Sequence, residues 1–196
     1  MFANRFTALV DACALAGALK RNLLLTLAEA EFFRLRWSET ILDETEAAIA
    51  RMLTAKGVED AADRAARARR AMVDAFEEAC VGDFSAMMDA VTGLPDPKDR
   101  HVVAAALQTS AAIIVTDNLR DFPEAVLAPL NLEARSADAF IADTIALDPG
   151  RAVAAIQRMR RRFNRPEKSA EVLLLDMEAA GLTETVDVLK PHVRSL

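Results

Sequence analysis

The sequence is poor in the features that would assign it at once to a specialised class of protein. Its two cysteines, Cys13 and Cys80, are far apart and lack metal-ligand spacing, which argues against a disulfide framework or a zinc module. It also lacks an excess of positive charge, since the formal net charge is -6. This balance argues against a protein that coats nucleic acid by bulk electrostatics, so any contact with nucleic acid must use a local patch.

Long apolar runs are missing as well. The stretch "ALVDACALAGAL" near the N-terminus is interrupted by Asp11, and no longer apolar span follows it, so we interpret it as core structure rather than a targeting or membrane segment. The 196 residues are 53% hydrophobic and 28% charged, which predicts a soluble globular protein with one domain and at most a small appendage. The few cysteines make a reducing cytosol the simplest location, and we expect a cytoplasmic protein without a membrane partner.

Two short apolar runs, "FTALV" and "AAIIV", predict strands buried on both faces. Helical spacing of apolar residues predicts helices over residues 15–29, 38–55, 60–79 and 84–91, and another that begins at Asp96-Pro97 with Asp96 as its N-cap. "NLEARSA" predicts a last strand near Leu132. Strands that alternate with helices predict an α/β fold, in which helices flank a parallel β-sheet.

From about residue 148 the pattern is helical with no further strand, and we expect breaks at residues 164–166 and at Gly181. The sequence therefore predicts two parts. Residues 1–147 form the α/β domain, and residues 148–196 form a small all-helical C-terminal extension.

Four acidic residues are candidates for one site. Asp11 directly follows the first predicted strand and Asp117 the second, and the carboxyl ends of parallel strands meet at one crevice. Glu44 falls on the apolar side of its predicted helix, and Asp99 on the inward side of the helix that begins at Asp96. We therefore expect the four carboxylates to converge.

Each acid also has an ordinary explanation. Asp99 would suit a helix N-terminus, Asp11 and Asp117 would suit the turns that follow strands, and Glu44 would suit a helix surface. Together they favour a site, because four converging carboxylates repel one another unless a cation is bound. Mg²⁺ is the natural candidate, with Mn²⁺ as the alternative, since hard cations prefer carboxylate oxygens.

Four ordered motifs then carry a resemblance to a known family. They are "LVDACAL" with Asp11, "WSETILDETEAAI" with Glu44, "LPDPKDRHVVAAAL" with Asp99, and "IIVTDNLRDFP". Their order and spacing resemble the PIN-domain family, and in particular the VapC-type toxins of bacterial toxin–antitoxin pairs that carry a helical C-terminal extension. The resemblance covers roughly residues 6 to 136 by motif and the extension more loosely.

This resemblance implies a PIN-like fold and a Mg²⁺-dependent endoribonuclease in which Asp11, Glu44 and Asp99 are catalytic residues and metal ligands. The fourth family acid maps less directly, because the common pattern of Thr, any residue and Asp would place it where this sequence has Asn118. We favour Asp117 as the fourth catalytic and metal-binding residue because it leaves the strand end first. Asn118 and Asp121 are the alternative ligands, and the sequence leaves open whether one or two metal ions bind.

Several other residues near the motifs are candidates for the substrate site. Thr116, Arg100 and Arg21 are predicted to contact the substrate, through a hydroxyl group or through phosphate-binding guanidinium groups. Cys13 stands where many relatives have Asn, and we interpret it as a buried small residue rather than a reactive thiol. His101 is interpreted as helix surface rather than a general base.

The resemblance also implies partners. They are an RNA substrate, a cognate antitoxin protein that inserts a segment near the acidic cleft, and a second copy of the chain in a homodimer. Two alternatives remain: a catalytically weak PIN-fold module that binds or regulates, and a metal-dependent nuclease that acts on structured DNA.

Overall fold

The computed structural model describes residues 6–163 and 167–196. In this part of the chain four strands form one parallel sheet: β1 (Thr7–Val10), β2 (Arg34–Arg36), β3 (Ile113–Val115) and β4 (Glu133–Arg135). Their order across the sheet is β2-β1-β3-β4. The predicted α/β fold with helices around a parallel sheet is confirmed.

The strand order places a crevice between the two central strands. The chain moves from β1 outward to β2, then returns to add β3 on the other side of β1. Such a reversal opens a cleft beyond the carboxyl ends of the strands, where α/β proteins bind ligands. Val10 is paired with Val115, so the next residues, Asp11 and Thr116, lie side by side at the mouth of this cleft.

Helices follow each of the first three strands along the chain. They are α1 (Ala12–Ala16), α2 (Ala18–Glu29), α3 (Glu39–Ala55), α4 (Ala61–Ala75), α5 (Arg100–Gln108) and α6 (Glu124–Leu127). Ser38 caps α3 by accepting from the Ile41 backbone N–H at 3.2 Å, and Asp96 accepts from the Lys98 N–H at 2.9 Å in the short 3₁₀ turn that precedes α5. The predicted N-cap at Asp96 is confirmed, although it caps the 3₁₀ turn and α5 itself begins at Arg100.

Four details differ from the sequence-based expectation. The first predicted helix is divided into α1 and α2 because Gly17 adopts an extended conformation, which glycine favours over helix. The helix predicted over 60–79 ends at Ala75 and is followed by a 3₁₀ turn, and the one predicted over 84–91 is itself a 3₁₀ segment, Ser85–Ala90. β2 was not predicted, because a three-residue strand with an arginine at each end has almost no apolar pattern.

The helix α7 (Ala137–Leu147) follows β4 and was not predicted from the sequence. Beyond residue 148 the described chain is helical, as expected, with α8 (Pro149–Arg161), α9 (Ala170–Ala179), α10 (Thr183–Leu189) and a final 3₁₀ segment, Lys190–Ser195. The break at Gly181 is confirmed by its positive φ of 78°, whereas the break expected at 164–166 lies outside the described residues. The buried Asp138 of α7 accepts from the backbone N–H groups of Glu184 and Thr185, both at 2.9 Å, and so joins α7 to the start of α10.

The core lies between the sheet and these helices. Phe6, Phe33 and Phe140 form an aromatic cluster in which the Phe33 and Phe140 ring centroids are 4.9 Å apart in an edge-to-face arrangement. Since Phe140 belongs to α7, this contact packs the later helices directly against the sheet. No helix among the described residues is long and apolar enough to cross a membrane.

Candidate active site

Asp11 is the centre of the site. It follows β1, its backbone N–H donates to the Val115 carbonyl at 2.9 Å, and only 8% of its surface is exposed. Its Oδ1 accepts from the Ala12 N–H at 2.7 Å and caps α1. Its Oδ2 accepts from the Thr116 hydroxyl at 2.8 Å and from the Cys13 thiol at 3.1 Å. The carboxylate is therefore held in one orientation at the carboxyl end of the sheet.

Thr116 lies deeper than a substrate contact would. Its side chain is fully buried, and its hydroxyl donates to Asp11 and accepts from the Asn118 N–H at 3.1 Å. The expectation that Thr116 touches substrate has no support in these contacts. The hydroxyl instead fixes Asp11 and the start of the following turn.

Asp99 shares the electrostatic field of Asp11. Partial burial, followed by the negative charges of Asp11, Asp96 and Asp121, raises the pKa of Asp99 from 3.8 to about 6. Charges act on one another in this way only over short distances, so we group Asp11, Asp99 and Asp121 as one acidic cluster. This electrostatic coupling supports the predicted convergence of Asp11 and Asp99 and adds Asp121 to it.

Asp117, which the sequence favoured as the fourth acid, has other partners. Its Oδ2 is 2.6 Å from the Lys20 ammonium group, and its Oδ1 accepts from the Ala137 N–H at 3.1 Å. Both oxygens thus connect α2 and the start of α7 to the end of β3. Asp117 is consequently placed as a structural bridge between three elements.

Asn118 and Asp121 occupy the turn after Asp117. The Asn118 side-chain amide donates to the Asp121 carboxylate, and its carbonyl oxygen accepts from Arg120 Nε at 3.2 Å. Asp121 is only 19% exposed and contributes to the raised pKa of Asp99. Of the three polar residues in this turn, Asp121 is the one that the structure groups with the acidic cluster.

Glu44 lies at the rim rather than on the buried side of its helix. The buried residues of α3 are Ile41, Leu42, Thr45 and Ile49, so the apolar face is centred away from Glu44, whose side chain is 47% exposed. The expectation of an inward-facing Glu44 was wrong for this reason. Its Oε1 is nevertheless 3.3 Å from His101 Nε2, which links α3 to α5.

His101 is also placed differently from its interpretation as helix surface. Its side chain is only 13% exposed, and its buried Nδ1 has no hydrogen-bond partner among the described residues. The interpretation was wrong because His101 turns toward Glu44 across the gap between two helices. It lies two residues after Asp99 in the chain.

The two arginines predicted to contact substrate are bound to carbonyl groups of the protein itself. Arg21 donates to the carbonyls of Leu15 and Ala16 at 2.7 and 3.1 Å, and burial lowers the pKa of its guanidinium group. Arg100 donates through Nε to the Val91 carbonyl at 2.9 Å. Arg21 therefore stabilises the end of α1 and Arg100 the segment around Val91, because their guanidinium groups satisfy backbone carbonyls.

Cys13 contacts the residues of the site, a role that was not predicted from the sequence. The residue is exposed, so its interpretation as a buried small residue was wrong. Its sulfur nevertheless contacts Asp11, Thr116 and the Asp117 N–H. Burial among protein atoms and the negative charge of Asp11 raise the pKa of Cys13 to about 12, so the thiol stays protonated at neutral pH. Its position two residues after Asp11 was the available signal, since the first turn of a helix curls back toward the strand end.

The cluster suits a hard cation in its chemistry more than in its present spacing. Its members are carboxylates, the ligands that Mg²⁺ and Mn²⁺ prefer, and partial burial together with nearby negative charge raises the pKa of Asp99. Within residues 6–163 and 167–196, however, no three His, Cys, Asp or Glu side chains are close enough together to hold a metal ion. Metal binding would therefore require the carboxylates to move closer together.

Comparison with known proteins bears on the two parts of the chain separately. The family model described as "PIN domain" matches residues 7–120, and the one described as "VapC50 C-terminal domain" matches residues 137–191, beginning at the first residue of α7. "Putative ribonuclease VapC50" of Mycobacterium tuberculosis (strain ATCC 25618 / H37Rv) is 46% identical over 50 residues, which cover 26% of this chain and 30% of that relative. No solved structure matches detectably.

Proposed function

Because the chain belongs to the PIN-domain family, we propose that it is a divalent-metal-dependent endoribonuclease and the toxin of a type II toxin–antitoxin pair. The match to the VapC50 C-terminal domain and the similarity to a protein named as a VapC50 ribonuclease support this assignment. The aligned segment covers less than a third of that relative, so the activity and its substrate are inferred for this chain and belong to the proposal.

The observation that carries the proposal is the charge clustering at the carboxyl end of the sheet. Asp11, Asp99 and Asp121 lie close enough for Asp11 and Asp121 to disfavour ionisation of Asp99. A protein gains no stability from such repulsion, whereas a nuclease requires an acidic site to attract a metal ion. The cluster also lies at the switch point of the strand order, where a ligand-binding cleft is expected.

Asp11, Asp99 and Asp121 are the proposed metal ligands, with Glu44 approaching from the rim and Asn118 able to offer its carbonyl oxygen. A bound Mg²⁺ or Mn²⁺ would supply an activated water and neutralise charge that develops on the phosphate. The protein contributes a fixed Asp11 carboxylate, held by three neutral donors. It also contributes the carboxylate of Glu44, which is 47% exposed on α3.

The residue proposed to contact RNA differs from those predicted from the sequence. Arg21 and Arg100 are engaged by backbone carbonyls, so we assign the phosphate-binding role to Arg120 instead. Its side chain is 86% exposed, and it is adjacent in sequence to Asp121 and bonded to Asn118. An exposed guanidinium group at the edge of an acidic cluster is suited to hold a phosphate without blocking a metal ion.

The proposed function also implies partner molecules and a cellular location. The family similarity supports an RNA substrate and an antitoxin that covers the cleft, and a homodimer in the bacterial cytoplasm is the expected form. The antitoxin would mask the acidic cluster until it is degraded. Release would then expose the site to RNA.

The proposal is tested by incubating the purified protein with total RNA in Mg²⁺ and mapping the cut ends. We expect discrete cleavage sites that disappear in EDTA and in the Asp11→Asn variant. Equal cleavage by that variant would indicate a contaminating nuclease and contradict the proposal. Cleavage of structured DNA alone would favour a DNA nuclease, and growth inhibition by wild type and Asp11→Asn alike would favour a binding module.

A further inference from the structure

Cys13 has a pattern of contacts that a residue serving only to fill space would not make. Its sulfur lies 3.1 Å from Asp11 Oδ2, 3.2 Å from Thr116 Oγ1 and 3.2 Å from the Asp117 backbone nitrogen. One atom on the first turn of α1 thereby joins the ends of β1 and β3. These are the two strands between which the cleft opens.

The hydrogen atoms available at this junction determine the role of the thiol. Asp11 can only accept, and its Oδ2 receives the Thr116 hydroxyl proton at 2.8 Å. The Thr116 oxygen also accepts from the Asn118 N–H. The Asp117 N–H points at the sulfur, so Cys13 serves as its acceptor while its own S–H donates to Asp11 Oδ2.

The same network limits how Asp11 can meet a ligand. An ionised carboxylate has about four lone-pair directions, and Asp11 uses three of them for Ala12, Thr116 and Cys13. About one remains for a metal ion. Loss of the thiol would release one of the three restraints on Asp11 and would remove the acceptor of the Asp117 N–H.

We infer that Cys13 is a positioning residue that orients Asp11 for metal binding and fixes the start of the 117–121 turn, so that Asp117 is directed to Lys20 while Asp121 is directed to the cluster. The inference rests on the proposed function, since it assigns Asp11 to metal binding. It assigns Cys13 no contact with metal or substrate. Hydrogen-bond partners of metal ligands commonly alter metal affinity by ten- to a hundredfold when they are removed.

The test compares Cys13→Ala, Cys13→Ser and Cys80→Ala in the full chain. Cys80 is the matched control, because its thiol donates to Glu39 at 3.2 Å, outside the acidic cluster. Mn²⁺ affinity is measured by calorimetry. We expect Cys13→Ala to weaken binding by about tenfold, Cys13→Ser to stay within about threefold of wild type because a hydroxyl also donates and accepts, and Cys80→Ala to have no effect.

A second measurement does not depend on metal. In the metal-free protein the Asp117 amide should exchange with solvent faster in Cys13→Ala than in wild type or Cys13→Ser, because its acceptor is gone. Unchanged exchange of the Asp117 amide in Cys13→Ala, or unchanged Mn²⁺ affinity, would overturn the inference.

The outcomes separate this inference from the proposed function. A wild type that binds no Mn²⁺ would contradict both, whereas a wild type that binds Mn²⁺ as tightly as Cys13→Ala would contradict the role of Cys13 alone. If Cys13→Ala does not fold, the Cys13→Ser variant is used to test the role of Cys13. A folded Cys13→Ser protein that loses the protection of the Asp117 amide would overturn the inference.

Discussion

The acidic cluster should make the metal-free protein less stable than a variant that lacks one of its charges. Asp99 has a pKa raised to about 6, with partial burial and the charges of Asp11 and Asp121 among the causes. Asparagine has nearly the same shape as a protonated aspartic acid and carries no charge. We therefore predict that Asp99→Asn increases the free energy of unfolding at neutral pH in the absence of divalent metal.

The magnitude follows from the pKa. A rise from 3.8 to about 6 is about two pKa units, or about 3 kcal/mol at 1.36 kcal/mol per unit. Asp99 is only partly buried, so solvent screening reduces this figure to about 1 to 2 kcal/mol. The Asn variant should be more stable than wild type by that amount.

The direction of the Asp99 pKa shift determines how the stability difference between wild type and Asp99→Asn depends on pH. The pKa is higher in the folded than in the unfolded state, so the folded state retains this proton more strongly. The cost of ionising Asp99 is present in full above pH 6, falls as the pH drops from 6 toward 4, and vanishes below the unfolded pKa. The advantage of Asp99→Asn should accordingly disappear by about pH 4.

Urea denaturation in EDTA at pH 7.5, 5.5 and 4 measures the difference. Glu59→Gln, a change at an exposed loop position, is the control and should alter the free energy of unfolding by less than about 0.5 kcal/mol. Added Mg²⁺ should stabilise wild type more than Asp99→Asn, because ligands stabilise the state that binds them. A variant that is less stable than wild type at pH 7.5 in EDTA would refute the reasoning.

The other predictions concern residues around the cluster. Arg100→Met should lower the free energy of unfolding by about 1 to 3 kcal/mol, because the Val91 carbonyl loses its donor. KM for RNA in the folded fraction should stay unchanged. A raised KM without loss of stability would show a substrate contact instead. Arg120→Ala should raise KM for RNA and leave urea unfolding unchanged within about 0.5 kcal/mol, and an unchanged KM would remove Arg120 from the RNA surface. Asp138→Ala should lower the free energy of unfolding by about 1 to 2 kcal/mol, since the start of α10 loses its acceptor, and no loss would contradict the role given to that cap.

The sequence predicted the parts of the fold that depend on strong local patterns. The two central strands are short apolar runs, and α3 and the turn before α5 carry clear N-caps, so these elements and the position of Asp11 could be located. β2 could not, because its three residues are held by pairing with β1 and by burial of Leu35. A strand defined by its neighbours leaves little signal in its own residues.

The fourth acid shows where sequence reasoning about side-chain direction fails. Alternation of side chains holds only while the backbone is extended, and at Asn118 the chain leaves that conformation and enters a 3₁₀ turn. Asp117 is then drawn to Lys20 and the start of α7, elements that are distant in the sequence. Likewise, the direction of Glu44 depends on which part of α3 packs against the core, and Thr45 rather than Glu44 is buried there.

A comparison of Asp121→Asn with Asp117→Asn tests most directly the claim that Asp11, Asp99 and Asp121 form a metal-dependent ribonuclease site. The measurement is the single-turnover rate of RNA cleavage in Mg²⁺, with Mn²⁺ affinity determined on the same preparations. We predict that Asp121→Asn lowers both by tenfold or more. Asp117→Asn should stay within about threefold of wild type and lose only about 1 kcal/mol of stability through its weakened contact with Lys20. The opposite pattern, with metal affinity and cleavage lost in Asp117→Asn and kept in Asp121→Asn, would contradict the account.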